Sequence, residues 1–132
     1  MKIFVDSSFL IALVNENDSL HEKSLEYIDL IEKNGCYISN LVINEVITVI
    51  GNKIDLETAI SAFDLINDIF HVINEYEIKD FNSTTMLIYE KHNTKLSFTD
   101  CSIIVDMHYH KIENLLSFDK EFKKAEGINL IL

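Results

Sequence analysis

Apolar residues fall into two patterns along this chain, short unbroken runs and longer stretches spaced by three or four. The runs are "KIFV" (2–5), "CYIS" (36–39), "FHVIN" (70–74), "NLLSF" (114–118) and "INLIL" (128–132). Each is too short for a helix and rich in β-capable side chains, which predicts five strands, the first of them buried. The spaced stretches predict helices between them. "SFLIALVNEN" follows the possible caps Asp6, Ser7 and Ser8, and Leu20, Ser24, Tyr27, Ile28 and Ile31 predict a longer amphipathic helix from Ser19 that ends at "KNG", with Gly35 as its C′ residue. "NLVINEVITVI" predicts an interior helix over about 40–50, Asp55 caps one over about 56–69, and Ile78, Phe81, Met86 and Tyr89 mark one over 77–92. A last apolar helix is expected over about 98–109 and a short one at "DKEFKKA".

Short apolar strands alternating with helices indicate an α/β domain whose parallel sheet is covered on both faces. With no Pro and only Gly35, Gly51 and Gly127, nothing reads as a linker, so residues 1–132 are expected to form a single domain. Its 132 residues suffice for one sizeable core. No stretch approaches the roughly 18 apolar residues of a membrane span, and the N-terminus meets Asp6 too early for a signal peptide, so the expectation is a soluble, cytoplasmic protein with no membrane partner. Cys36 and Cys101 lack any metal-binding or redox spacing and read as small buried hydrophobes. The net charge of −11 argues against a non-specific nucleic-acid coat, so a polyanionic substrate would have to be bound locally. Lys91, Lys95, Lys111, Lys120, Lys123 and Lys124 are the late basic residues available for that, though a solvated face explains them better.

Most of the 22 acids must be solvated surface charge, but four have telling positions. Asp6 directly follows the first strand and Asp119 the fourth, at the carboxyl ends where open α/β sheets bind ligands. Asp100 opens an apolar helix in "LSFTDCSII", where Ser97-x-x-Asp100 reads either as a capping box or as a cap whose acid is also a ligand. Glu45 lies among Ile43, Val46, Ile47, Val49 and Ile50, and a carboxylate buried there needs a neutralising partner that capping cannot supply. Four carboxylates within about 5 Å repel by roughly 3 kcal/mol per pair at an effective dielectric near 20, which a divalent cation relieves. Oxygen-only donors favour Mg²⁺ or Mn²⁺. The five histidines fall into no ligand-like or triad-like arrangement.

"IFVDSSFL", "SNLVINEV", "LSFTDCSII" and "LLSFDKEF" together resemble, in order and spacing, the four acidic motifs of PIN-domain ribonucleases, the group that includes VapC-type toxins. The resemblance covers nearly the whole chain. It implies a three-layer α/β/α sandwich around a five-stranded parallel sheet, with Asp6, Glu45, Asp100 and Asp119 as catalytic metal ligands. Ser8 and Ser117 match hydroxyl positions beside the pocket, Ser117 standing where the family often has Thr, and Glu121 is a second carboxylate near Asp119 that would serve in an outer shell. The activity implied is Mg²⁺- or Mn²⁺-dependent endoribonuclease hydrolysis of RNA phosphodiester bonds. The partners implied are an antitoxin protein, bound near the acidic pocket through an inserted basic residue, and a second copy in a homodimer. The competing readings are a PIN nuclease that processes RNA without being a toxin, a catalytically silent binding module, and a phospho-acceptor receiver domain. A receiver would resemble its family in an acidic pair after the first strand, where this chain has Asp6 alone.

Overall fold

Ile3, Phe4 and Val5 are all fully buried, so the strand they form, β1 (Lys2–Val5), has protein on both faces and must lie inside a sheet. The computed structural model, which describes residues 1–132, makes it the central strand of five. The others are β2 (Gly35–Ser39), β3 (His71–Ile73), β4 (Asn114–Leu116) and β5 (Asn129–Ile131), in the order β3-β2-β1-β4-β5 with every pairing parallel. The chain builds outward from β1 through β2 to β3, then returns to the other side of β1 to add β4 and β5. The gap between the carboxyl ends of β1 and β4 is therefore the topological switch point, the usual ligand crevice of an open parallel sheet.

Seven helices cover the sheet: α1 (Ser7–Val14), α2 (His21–Leu25), α3 (Ile28–Lys33), α4 (Asn40–Lys53), α5 (Leu56–Ile69), α6 (Phe81–Lys91) and α7 (Phe98–Tyr109). Helix α1 packs on α2 and α4, α4 on α5, and α6 on α7. One contiguous core joins them to the sheet, centred on Ile3, Phe4, Phe9, Ile38, Leu96, Met107 and Phe122. This is the expected α/β sandwich with its five-stranded parallel sheet. Cys36 and Cys101 are buried free thiols within that core.

Four local expectations are corrected. The helix expected from Ser19 to the "KNG" segment is two helices, because the Tyr27 N–H bonds Ser24 O, three residues back rather than four, and breaks the helical register between α2 and α3. Gly35 is not a C′ residue: Asn34 is already extended (φ −125°) and Gly35 pairs with Lys2 as the first residue of β2. The helix expected from residue 77 starts only at Phe81, after a 3₁₀ turn (Glu75–Glu77) and a left-handed Asp80 (φ 56°) that helical propagation cannot cross. The "DKEFKKA" helix is a 3₁₀ turn (Lys120–Lys124).

The caps expected at Asp55 and Ser97 form, and Ser39 supplies one more. Asp55 accepts from Thr58 N at 2.7 Å, Ser39 from Val42 N at 3.2 Å, and Ser97 and Asp100 form a reciprocal capping box. Within α7, every residue from Cys101 to Met107 is buried, including Asp106. Asp106 is 0% exposed and neither carboxylate oxygen has a hydrogen-bond partner. Burial pushes this carboxyl up to about 8, helped by the nearby charge of Glu75. Folded protein then holds a proton on Asp106 that the unfolded chain releases near pH 4, so stability falls as pH rises from about 4 to 8.

Asp106→Asn keeps the shape and removes that titration. In EDTA, its stability relative to the natural chain should improve from pH 5 to pH 8 by at least about 1.4 kcal/mol, the equivalent of one pH unit of titration, as read by urea unfolding. A constant difference across that range would mean that Asp106 is ionised when folded. Ser97→Ala should lower stability by about 1 kcal/mol at any pH in that range, the ordinary loss for an N-cap.

Candidate active site

Asp6 is the first residue past β1, and its backbone N–H donates to Leu116 O across the β1–β4 switch point at 3.2 Å. That bond extends the pairing of β1 with β4 and turns the Asp6 side chain, 1% exposed, into the crevice. Three donors hold it. Ser8 Oγ donates to Oδ1 at 2.8 Å, Phe9 N to the same oxygen at 3.2 Å, and Ser117 Oγ makes a short hydrogen bond to Oδ2. Asp6 is thus at once the N-cap of α1 and the buried centre of the crevice.

The two serines also join the strand ends. Ser8 Oγ accepts from Phe118 N at 3.2 Å and Ser117 Oγ accepts from Asp119 N at 3.0 Å, so the loop after β4 is fastened to the one after β1. Asp119 follows and caps the 3₁₀ turn through Glu121 N at 3.0 Å. Glu121 turns away to pair with Lys124 at 3.1 Å. Glu45 projects from the second turn of α4 and accepts from Ser7 Oγ at 2.9 Å. Asp100 stands in the first turn of α7, half-buried, inside its capping box.

Glu45 corrects an expectation. It is exposed rather than interior, because α4 buries only Val42, Val46 and Ile50, a single stripe at helical spacing, and leaves its other apolar residues partly open. Its neighbourhood is set by the crevice it overhangs, not by the core. Ser7 is the residue that sequence reasoning missed. The signal was present in the doubled serine of "VDSSF", in which Ser8 binds Asp6 and Ser7, one position earlier, reaches α4 instead.

The four acids act on one another electrostatically. Burial pushes the Asp6 carboxyl up to about 7 against the opposing bonds from Ser117, Ser8 and Phe9, and the Asp100 charge adds to the rise. Burial likewise raises Asp100, followed by the charges of Asp119 and Glu45, while its bonds with Ser97 work the other way. Asp6, Asp100, Asp119 and Glu45 therefore share one field around the switch point. As they stand, no three His, Cys, Asp or Glu side chains are grouped closely enough to hold a metal ion. Each carboxylate accepts a hydrogen bond instead from a serine hydroxyl or from a backbone N–H at a helix or turn start. The donor set nonetheless fits a hard divalent cation: oxygen ligands only, mutually repelling, one of them desolvated.

The comparisons place this architecture. The structure resembles VapC20 of Mycobacterium tuberculosis, a sarcin-ricin loop cleaving toxin, with a TM-score of 0.82 and 24% identity over 94% of this chain and 95% of that one. It also resembles VapBC2 of Rickettsia felis, solved bound to a DNA fragment from its promoter, with a TM-score of 0.68 and 17% identity over 99% of this chain and 98% of that one. DNA-bound VapBC of Salmonella typhimurium matches with a TM-score of 0.73 and 15% identity over 99% and 97%. At these identities the likeness is one of fold. No curated protein matches by sequence. The model of the PIN domain matches residues 3–128, nearly the whole chain and all four acids, and the chain belongs to the PIN-domain family.

Proposed function

We propose that this chain is a metal-dependent endoribonuclease of the VapC toxin type, which hydrolyses RNA phosphodiester bonds in the crevice between β1 and β4. One observation carries the reading: in a chain that the PIN-domain model matches, Asp6 is buried at the β1–β4 switch point, and Glu45, Asp100 and Asp119 stand on the segments around it. Asp6, Glu45, Asp100 and Asp119 would hold Mg²⁺ or Mn²⁺. Such an ion, when bound, polarises the phosphate, activates a water and offsets charge on the leaving oxygen.

The chain's own residues prepare that site. Ser8 and Ser117 each occupy one oxygen of Asp6, which fixes the carboxylate plane and leaves it no freedom to swing away. Ser7 steers the flexible Glu45 side chain toward the end of α1, and the capping box holds Asp100 at the mouth of α7. Glu121 is engaged with Lys124 and serves as outer support rather than as a ligand. A chain of net charge −11 repels RNA at long range. Lys95 and Lys120, next to the Asp100 and Asp119 segments in sequence, are the basic residues suited to contact its backbone.

The toxin reading adds an antitoxin partner, since the neighbours from Rickettsia felis and Salmonella typhimurium are VapBC assemblies. A groove of about 400 Å³ suits its apolar segment. Leu10, Leu13, Val14, Ile28, Leu65 and Ile69 line it, and Glu32 is its only charged residue. It shares α1 with the active-site crevice, the groove on the later turns of that helix and Asp6 at its start. A second copy of the chain suits the exposed stripe of Leu56, Ile60 and Phe63 on α5. No helix is long and apolar enough to cross a membrane, which is compatible with action in the cytoplasm.

Purified protein incubated with total RNA should cut it in Mn²⁺ and not in EDTA. Asp6→Asn, Asp100→Asn and Asp119→Asn should each reduce cutting by about 100-fold or more, the upper end of what loss of a mere supporting group costs, with folding by circular dichroism retained. Acetyl-phosphate labelling of Asp6, with no RNA cut under any divalent ion, would overturn the assignment in favour of a phospho-acceptor.

A further inference from the structure

Glu75 is a buried acid that the site described above does not use. It lies in the 3₁₀ turn after β3, is 0% exposed, and reaches across 35 residues of chain to the first turn of α4. There its Oε1 accepts from Asn40 N at 3.2 Å and its Oε2 from Leu41 N at 3.1 Å. Together with Ser39, which accepts from Val42 N, it satisfies three successive amides that the helix itself leaves unpaired. The positive end of the α4 dipole favours a carboxylate at this place.

Helix α4 carries Glu45 a little more than one turn beyond those amides. On the other side, Glu75 shares its buried space with Asp106 of α7, the helix that opens with Asp100. Asp106 has no hydrogen-bond partner there, whereas both Glu75 oxygens are bonded to α4. We propose that Glu75 is a positioning residue for the acidic site, its two bonds to the start of α4 fixing where that helix, and so Glu45, stands relative to Asp100 on α7. This rests on the reading of Asp6, Glu45, Asp100 and Asp119 as metal ligands. Glu75 touches neither substrate nor metal. It acts through α4 alone, as outer-shell groups act through the ligand they orient.

The test is Mn²⁺ affinity by titration calorimetry on folded protein. Glu75→Gln keeps the volume but only one acceptor, and the affinity should fall about 10-fold; Glu75→Ala keeps neither and should lose more. Thr85→Ala is the control for general loosening, since its buried hydroxyl donates to Phe81 O at 2.7 Å within α6, which meets Leu41 by apolar packing and bonds no amide of α4, and it should bind Mn²⁺ as the natural chain does. If Glu75→Gln does not fold, Glu75→Gln combined with Asp106→Asn, which removes the unpartnered carboxyl, is titrated against Asp106→Asn alone. Natural-chain affinity in the Glu75 variants, or an equal loss in Thr85→Ala, overturns the positioning role and leaves the metal site standing. A natural chain that takes up no Mn²⁺ overturns both.

Discussion

One buried carboxyl, Asp6, ties the sheet to the site. Its backbone continues the β1–β4 ladder, its first oxygen starts α1, and its second binds the hydroxyl that orders the loop after β4. Removing such a group from water is costly for the charged form, and burial accordingly raises its carboxyl to about 7 in spite of three donors. Ser8 and Ser117 are the local answer to that cost. Because each hydroxyl also accepts a backbone N–H from the β4 loop, the same two side chains that solvate Asp6 set the width of the crevice. Asp119 and the 3₁₀ turn then follow as consequences of where Ser117 stands.

The strands were legible in the sequence because each lies in a short apolar run that encloses it or all but its first residue. Burial on both faces explains the run of the central β1, whereas the edge strands β3 and β5 are partly exposed. Asp6, Asp100 and Asp119 were legible because they sit at element boundaries, where residue type and place coincide. Strand order was not, since pairing in a parallel sheet is decided by crossovers that leave no local pattern. The break at Tyr27 and the late start of α6 were hidden for a related reason: i→i−3 bonding and a left-handed Asp80 are backbone choices that apolar spacing does not record.

Glu45 and Asp106 make the sharper comparison. Both are acids set in apolar stretches, "VINEVIT" and "SIIVDMHY", and the argument that such an acid must be buried applies equally to each. It holds for Asp106 and fails for Glu45. The difference lies in packing: α7 is covered on all sides from Cys101 to Met107, whereas α4 offers the core only one stripe and keeps its remaining apolar side chains at the surface. Apolar content alone does not distinguish a helix enclosed by its own fold from one with apolar surface left over. Leu56, Ile60, Phe63 and Leu65 on the neighbouring α5 are exposed in the same manner, so leftover apolar surface is a property of the whole α4–α5 pair.

That difference in burial separates three of the acids by how tightly they are enclosed. Asp6 is enclosed and held at both oxygens, Asp100 is half-buried and held by its box, and Glu45 is exposed with a single serine at its end. On the proposed reading the enclosed acid gains most from a counter-charge, because it has the least water to lose, while the exposed one has the most freedom to move toward it. Convergence on an ion would then proceed by Glu45 and Asp119 turning inward toward a fixed Asp6, not by the core yielding. For that the base of α4 must not shift, and the only charged side chain bonded to its first-turn amides comes from outside the helix, from Glu75. On that reading the exposed ligand would be carried on an anchored helix, so side-chain freedom at the site and rigidity of the frame would be supplied by different residues.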